Sequence, residues 1–139
     1  ASSSPGAEAG WVPIEGVGFY SSGASARIRM DATSTARAYY DYIDTDQYEL
    51  LGSLIAPSFV QERPDRTFTG RAQFVEFMQE ERPVKDTSHD IISVFSAPAG
   101  DVAVEGALRR ADGSAMFRFV DVFRFDESGR IGEIATYTA

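Results

Sequence analysis

The chain has 139 residues and a formal net charge of −8, with 43% hydrophobic and 24% charged residues. That length fits one domain with a real core, the acidity argues against a nucleic-acid partner, and no apolar run approaches the roughly 20 residues of a membrane-spanning helix. There is no cysteine and one histidine, His89, which excludes disulfides, thiolate nucleophiles and cysteine- or multi-histidine-bound metals.

Acid–base chemistry must therefore come from Asp, Glu, Tyr, Arg and one His. No EF-hand loop or comparable carboxylate cluster stands out, so neither a metal nor a cofactor is expected. Residues 1–29 are rich in Gly, Ser and Ala and show no sustained period. They read as an extension, added or mis-started, ahead of a single domain at 30–139; a native arm docking Trp11 and Phe19 is the alternative. They lack a basic start followed by an apolar stretch, so they do not read as a secretory signal, and a cytoplasmic location is expected. The glycines at 16 and 18 follow no strand and open no helix, which dismisses a nucleotide loop, and no G-x-S-x-G elbow is present.

From Met30 the pattern is regular. Thr33 or Ser34 can cap a helix whose Ala36, Tyr39, Tyr40 and Ile43 make one apolar stripe. Asp44 or Thr45 can cap a second helix carrying Tyr48, Leu51 and Ile55, with Pro57 ending it. A short strand at "SFVQER" and a turn-rich loop at "PDRTFTG" follow. A third helix runs from Arg71 to about Glu81, burying Phe74, Val75, Phe77 and Met78, and Pro83 stops it.

The period then changes to two. Strands are expected at 87–96, 102–110, 114–126 and 130–138, joined by the Gly-containing turns "APAGD", "ADGS" and "ESGR". Helices segregated from an antiparallel meander give an α+β fold. In "FRFVDVFRF", Phe117, Phe119, Asp121, Phe123 and Phe125 share one strand face, and Arg118, Val120, Val122 and Arg124 the other. An ionised carboxylate among four phenylalanines is costly unless its pKa rises or a partner is supplied. A carboxyl tuned toward neutrality is also what a general acid or base needs. A structural aspartate, hydrogen-bonded to His89, a tyrosine or backbone amides, is the alternative.

The order of elements, with "TFTGRAQFVEFM", "DTSHDI", "VAVEGALRRADG" and "FVDVFRFDESGRI", resembles the NTF2-like superfamily, in its SnoaL-like, polyketide-cyclase-related branch. The resemblance implies a strongly bent, mostly antiparallel sheet wrapped round three N-terminal helices as a cone with an apolar pocket inside. It also implies pairing of two copies through the outer sheet face, here an apolar centre of Val120 and Val122 rimmed by Arg118 and Arg124. Its members range from isomerases, dehydratases and cyclases to proteins without catalysis. Asp121 matches the branch's acid–base position.

His89 alternates with Ile91, Ser93 and Phe95, a set expected to look inward, and could hold or partner Asp121. Tyr40, with Tyr39 and Tyr42 as rivals, is a candidate hydrogen-bond donor to a developing oxyanion. Phe117, Phe119 and Phe123 are expected to contact the ligand, with Glu62 or Arg63 at the pocket mouth and Tyr137 closing it. Glu105 is placed outside. The expected ligand is a small, largely apolar or carbonyl-bearing molecule, turned over by cofactor-free isomerisation, dehydration or cyclisation. A non-catalytic binding or dimerisation module is the rival, in which Asp121 and His89 satisfy one another and leave no cavity. Epoxide hydrolysis ranks low, because the inward faces offer no second aspartate.

Overall fold

The computed structural model describes residues 31–82 and 86–139; the N-terminal stretch and Pro83 lie outside them. The first helix, α1, spans Ala32–Asp44 and buries the expected stripe of Ala36, Tyr39, Tyr40 and Ile43. Its cap is Asp31, not Thr33 or Ser34: the carboxylate accepts the Ser34 N–H at 2.8 Å and the Thr33 hydroxyl at 3.0 Å. Three cap-competent side chains, Asp31, Thr33 and Ser34, stand within four positions there, and the anion among them takes the positive helix end.

The second helix, α2 (Tyr48–Ser53), is shorter than expected and begins after Gln47 without a side-chain cap. The chain turns to strand at Leu54, so Ile55 and Pro57 belong to β1 (Ile55–Glu62). Proline is tolerated there because the pairing breaks: Ile55 faces Ile131, and the ladder resumes only at Val60 opposite Glu133. Inside the expected loop lies a three-residue strand, β2 (Thr67–Thr69), antiparallel to β1. The third helix, α3 (Arg71–Glu76), continues as a π-helical turn at Phe77–Glu81. Phe74 and Met78 are buried, while Val75 and Phe77 are partly so.

The meander falls where the period-two pattern puts it, as β3 (Ser88–Ser96), β4 (Val102–Arg109), β5 (Ala115–Phe125) and β6 (Ile131–Thr138). One six-stranded sheet has the order β2-β1-β6-β5-β4-β3, parallel only between β1 and β6. The architecture is α+β, and α1 lies against β3 and β4. No helix among the described residues is long and apolar enough to cross a membrane.

Cross-strand register builds the inner face in rows. His89 faces Leu108, which faces Phe117; next come Ile91, Gly106, Phe119 and Thr138; then Val94, Val104, Asp121 and Thr136; then Val102, Phe123 and Ile134. Extra residues interrupt the ladders at Ile92, Met116 and Gly132. Each bulge switches which parity points inward. Phe95 is consequently not an inward residue: beyond Ile92 the inward position passes to Val94, and Phe95 is 57% exposed.

On the outer face Val120 stands between Glu105 and Tyr137 in register. Glu105 is indeed outside, paired with Arg118 at 2.6 Å, and Arg124 reaches Asp101 at 3.4 Å.

Gly106 is required by packing. A Cβ there would lie 2.7 Å from the Phe119 ring and 2.7 Å from the Asp90 carbonyl oxygen. The absent side chain is what lets Phe119 fold flat over the sheet. Gly106→Ala is therefore expected to lower unfolding free energy by about 1–3 kcal/mol, the usual range for overpacking a filled core. Urea denaturation checks this, and an unchanged midpoint would contradict it.

Candidate functional site

A cavity of about 400 Å³ opens between the inner sheet face and the helical side, and both Asp121 and His89 line it. Asp121 is 6% exposed. Its Oδ2 accepts the Tyr40 hydroxyl of α1 at 2.6 Å, and its Oδ1 accepts the Thr136 hydroxyl of β6 at 2.6 Å. The Thr136 oxygen in turn accepts the Gln61 side-chain amide of β1 at 3.0 Å. The carboxyl is thus held from the helix on one side and from a two-step polar chain across the sheet on the other. Short bonds of this kind favour the ionised form.

Burial acts the other way and dominates. It pushes the Asp121 carboxyl above its ordinary value of 3.8, against the Thr136 and Tyr40 hydrogen bonds and the nearby charges of His89 and Arg63. Burial also raises the phenols of Tyr39 and Tyr40, and the adjacent Asp121 charge raises them further. Tyr40 therefore stays a hydrogen-bond donor.

His89 is not bonded to Asp121. Its Nδ1 lies 2.7 Å from Oδ1 of Asp44, and its backbone N–H donates to Oδ2 of the same carboxylate at 2.8 Å. Asp44, the last residue of α1, grips the opening of β3 through both oxygens. With Nδ1 committed to Asp44, Nε2 is the ring nitrogen with no hydrogen bond among the described residues. The ring sits 5.0 Å from the Tyr40 ring and edge-on to Phe119 at 5.7 Å.

The other expected site residues divide. Phe117 and Phe119 line the cavity. Phe123 does not: it is fully buried and packs edge-on against Tyr39 at 5.3 Å. Tyr40 is not among the lining residues, and its hydroxyl is spent on Asp121 rather than held ready for a ligand. Glu62 is exposed and does not line the cavity, whereas its neighbour Arg63 does. Tyr137 does not close the pocket. It is 61% exposed on the outer face, because the bulge at Gly132 turns Ile134, Thr136 and Thr138 inward instead.

Sequence reasoning missed Asp44, Thr136, Gln61 and Arg82. Asp44 was legible only as a helix cap, and Thr136 was hidden by the bulge. A second aspartate, Asp65, reaches the cavity from the loop between β1 and β2 rather than from an inward strand face; it holds Arg63 at 3.3 Å but is 61% exposed. Among the described residues no three His, Asp or Glu side chains gather as a metal-binding set.

The raised Asp121 pKa fixes the sign of a pH effect. Between 3.8 and its folded value the native state binds the proton that the unfolded chain has released, so this group's contribution to stability falls as pH rises. Measured against Asp121→Asn by denaturation from about pH 4 upward, the wild type is expected to lose ground until the pH passes the folded pKa, and then to hold level. A gap that is constant, or that widens in favour of the wild type, would contradict the assignment.

The SnoaL-like domain family's sequence profile matches residues 36–134. No curated protein matches the sequence. Among solved structures, a provisionally named ketosteroid isomerase from Kribbella flavida is 22% identical, with 78% of this chain and 77% of that one covered at a TM-score of 0.67. A provisionally named SnoaL-like polyketide cyclase from Shewanella putrefaciens is 15% identical, covering 82% of each chain at 0.66. An NTF2-like protein of unknown function from Cytophaga hutchinsonii is 11% identical, covering 81% of this chain and 94% of that one at 0.69. At such identities the likeness is one of fold, but the profile covers most of the chain. With its bulged meander and its aspartate facing an internal cavity, the chain belongs to the SnoaL-like domain family, on the NTF2-like fold.

Proposed function

We propose that the protein is a cofactor-independent enzyme that moves a proton on a small, largely apolar, carbonyl-bearing molecule, in an isomerisation, dehydration or cyclisation. The observation that carries this reading is Asp121: a carboxyl raised in pKa by burial, immobilised by two hydrogen bonds and facing the cavity. A desolvated carboxylate is a stronger base than one in water. In the proposed reaction Asp121 takes a proton from the carbon next to the ligand carbonyl. Asp121 then returns that proton to another atom of the same molecule, and His89, oriented by Asp44, faces the cavity as the second acid–base group. Tyr40 and Thr136 act as positioning residues for the carboxylate, and Phe117 and Phe119 supply the apolar wall.

Several features support enzymatic turnover over a binding module. A closed Asp121–His89 pair would leave both groups neutralised, whereas each has its own separate partners and both open onto the cavity. Epoxide hydrolysis stays secondary even with Asp65 on the cavity, since Asp65 is largely exposed and already paired with Arg63. The family resemblance fits an isomerase or cyclase equally. A second copy of the chain is the proposed occupant of the outer face, where Val120, Tyr137 and Phe95 are exposed. Sedimentation at micromolar concentration should then show a dimer, and a monomer would end that part of the reading.

The chemistry can be tested without knowing the natural substrate. Exchange of the α-hydrogens of 2-tetralone in D2O, followed by NMR, should be accelerated by the wild type. Asp121→Asn should lose about 10²-fold or more of that rate while still binding the ketone. Undiminished exchange in Asp121→Asn would rule out its role.

A further inference from the structure

We infer that the molecule bound in this cavity is an organic acid, its carboxylate seated on Arg82. The inference rests on the cavity being the ligand site and adds a substrate class to it. Arg82 follows the π-helical turn, on the helical side of the cavity, and lines it together with Phe77 and Met78. Its side chain is only 10% exposed. Yet its charge is poorly compensated. Nη2 donates to the Tyr48 hydroxyl at 3.2 Å and lies 3.5 Å from Asp46, which is itself 63% exposed and does not line the cavity. Nε is buried with no hydrogen-bond partner among the described residues.

A guanidinium offers five donors in a fixed fork that matches a carboxylate, and leaving such donors unmade in a desolvated position is costly. Arg63 adds a second cation to the same lining; it is paired with the exposed Asp65 at 3.3 Å, and its charge also acts on Asp121. Two arginines therefore converge on one cavity in a chain of net charge −8. Leu108, Met116, Phe117 and Phe119 supply an apolar part of the wall, and the polar part includes Asp121, His89, Asp65 and Thr136. A cavity of about 400 Å³ with a buried arginine and an apolar wall suits a ring-bearing carboxylic acid better than a neutral hydrocarbon or a polyphosphate. An acid anchored on the helical side would present its apolar body to the sheet, where Asp121 waits.

The test uses a matched pair of probes, 1-naphthylacetate and its neutral amide, 1-naphthylacetamide, titrated calorimetrically into the full chain at pH 7. The wild type should bind the acid at least about tenfold more tightly than the amide, as expected of one well-made charged contact. Arg82→Gln should abolish that preference while leaving the amide affinity within about twofold. Arg82→Lys, which keeps the charge but loses the fork, should retain only part of it and serves if Arg82→Gln does not fold. Backbone shifts at Phe117 and Phe119 would place either probe in the cavity. Equal affinity for acid and amide, with both bound there, overturns the acid proposal and leaves the cavity as a ligand site. A preference that survives in the Arg82 variants but vanishes in Arg63→Gln overturns the assignment to Arg82. No binding of either probe removes both readings together.

Discussion

A carboxyl group buried in an aromatic wall needs partners, and the partners of Asp121 tie the fold together. Tyr40 comes from α1 and Thr136 from β6, so the two bonds to one side chain lock the first helix to the penultimate and last strands. Gln61 extends the same chain of donors to β1. The rings beside it pack on one another: Tyr40 lies 5.6 Å from Phe119 and 5.8 Å from Phe123, and Tyr39 stacks on Phe74. Removing any donor would leave a desolvated carboxyl with an unmet lone pair, a cost of about 1–3 kcal/mol. The same constraint that organises the core leaves the carboxyl strained toward protonation, and that strain is what chemistry can use.

Two acid–base centres stand side by side without sharing a bond. Asp121 belongs to the sheet and is tuned by burial, whereas His89 opens β3 and is steered by the carboxylate of Asp44 at the end of α1. Separate orientation matters for proton transfer. A histidine bonded to Asp121 would hold the proton within the pair, while one held from behind keeps Nε2 available. Both depend on α1, which supplies Tyr40 to one centre and Asp44 to the other.

Much of the fold could be read from periodicity. The helical stripe Ala36-Tyr39-Tyr40-Ile43 and the alternation Phe117-Phe119-Asp121-Phe123 state their burial directly, and the glycine-bearing turns mark the meander. The failures have one physical origin for the most part. Bulges at Ile92 and Gly132 reverse strand parity, so Phe95 and Tyr137, which alternate in sequence with the same parity as the inward Ile91 and Ile131, end up outside, and Thr136 ends up inside. Pro57 misled for a related reason, since a break in pairing makes room for proline within a strand. The candidate site was legible where it lay on regular β5. It was illegible where contacts join residues far apart in the chain, as with Asp44 and His89, 45 positions apart.

The central claim concerns the protonation of one carboxyl, and it can be measured directly. Carbon-13 NMR of the Asp121 carboxyl, titrated with pH, should give a midpoint above the ordinary 3.8, because burial outweighs the hydrogen bonds and charges that favour the anion. In Tyr40→Phe the midpoint should move higher still, since the lost phenol donor stabilises the ionised form. A midpoint at or below 3.8 in the wild type, or one indifferent to Tyr40, would contradict the account.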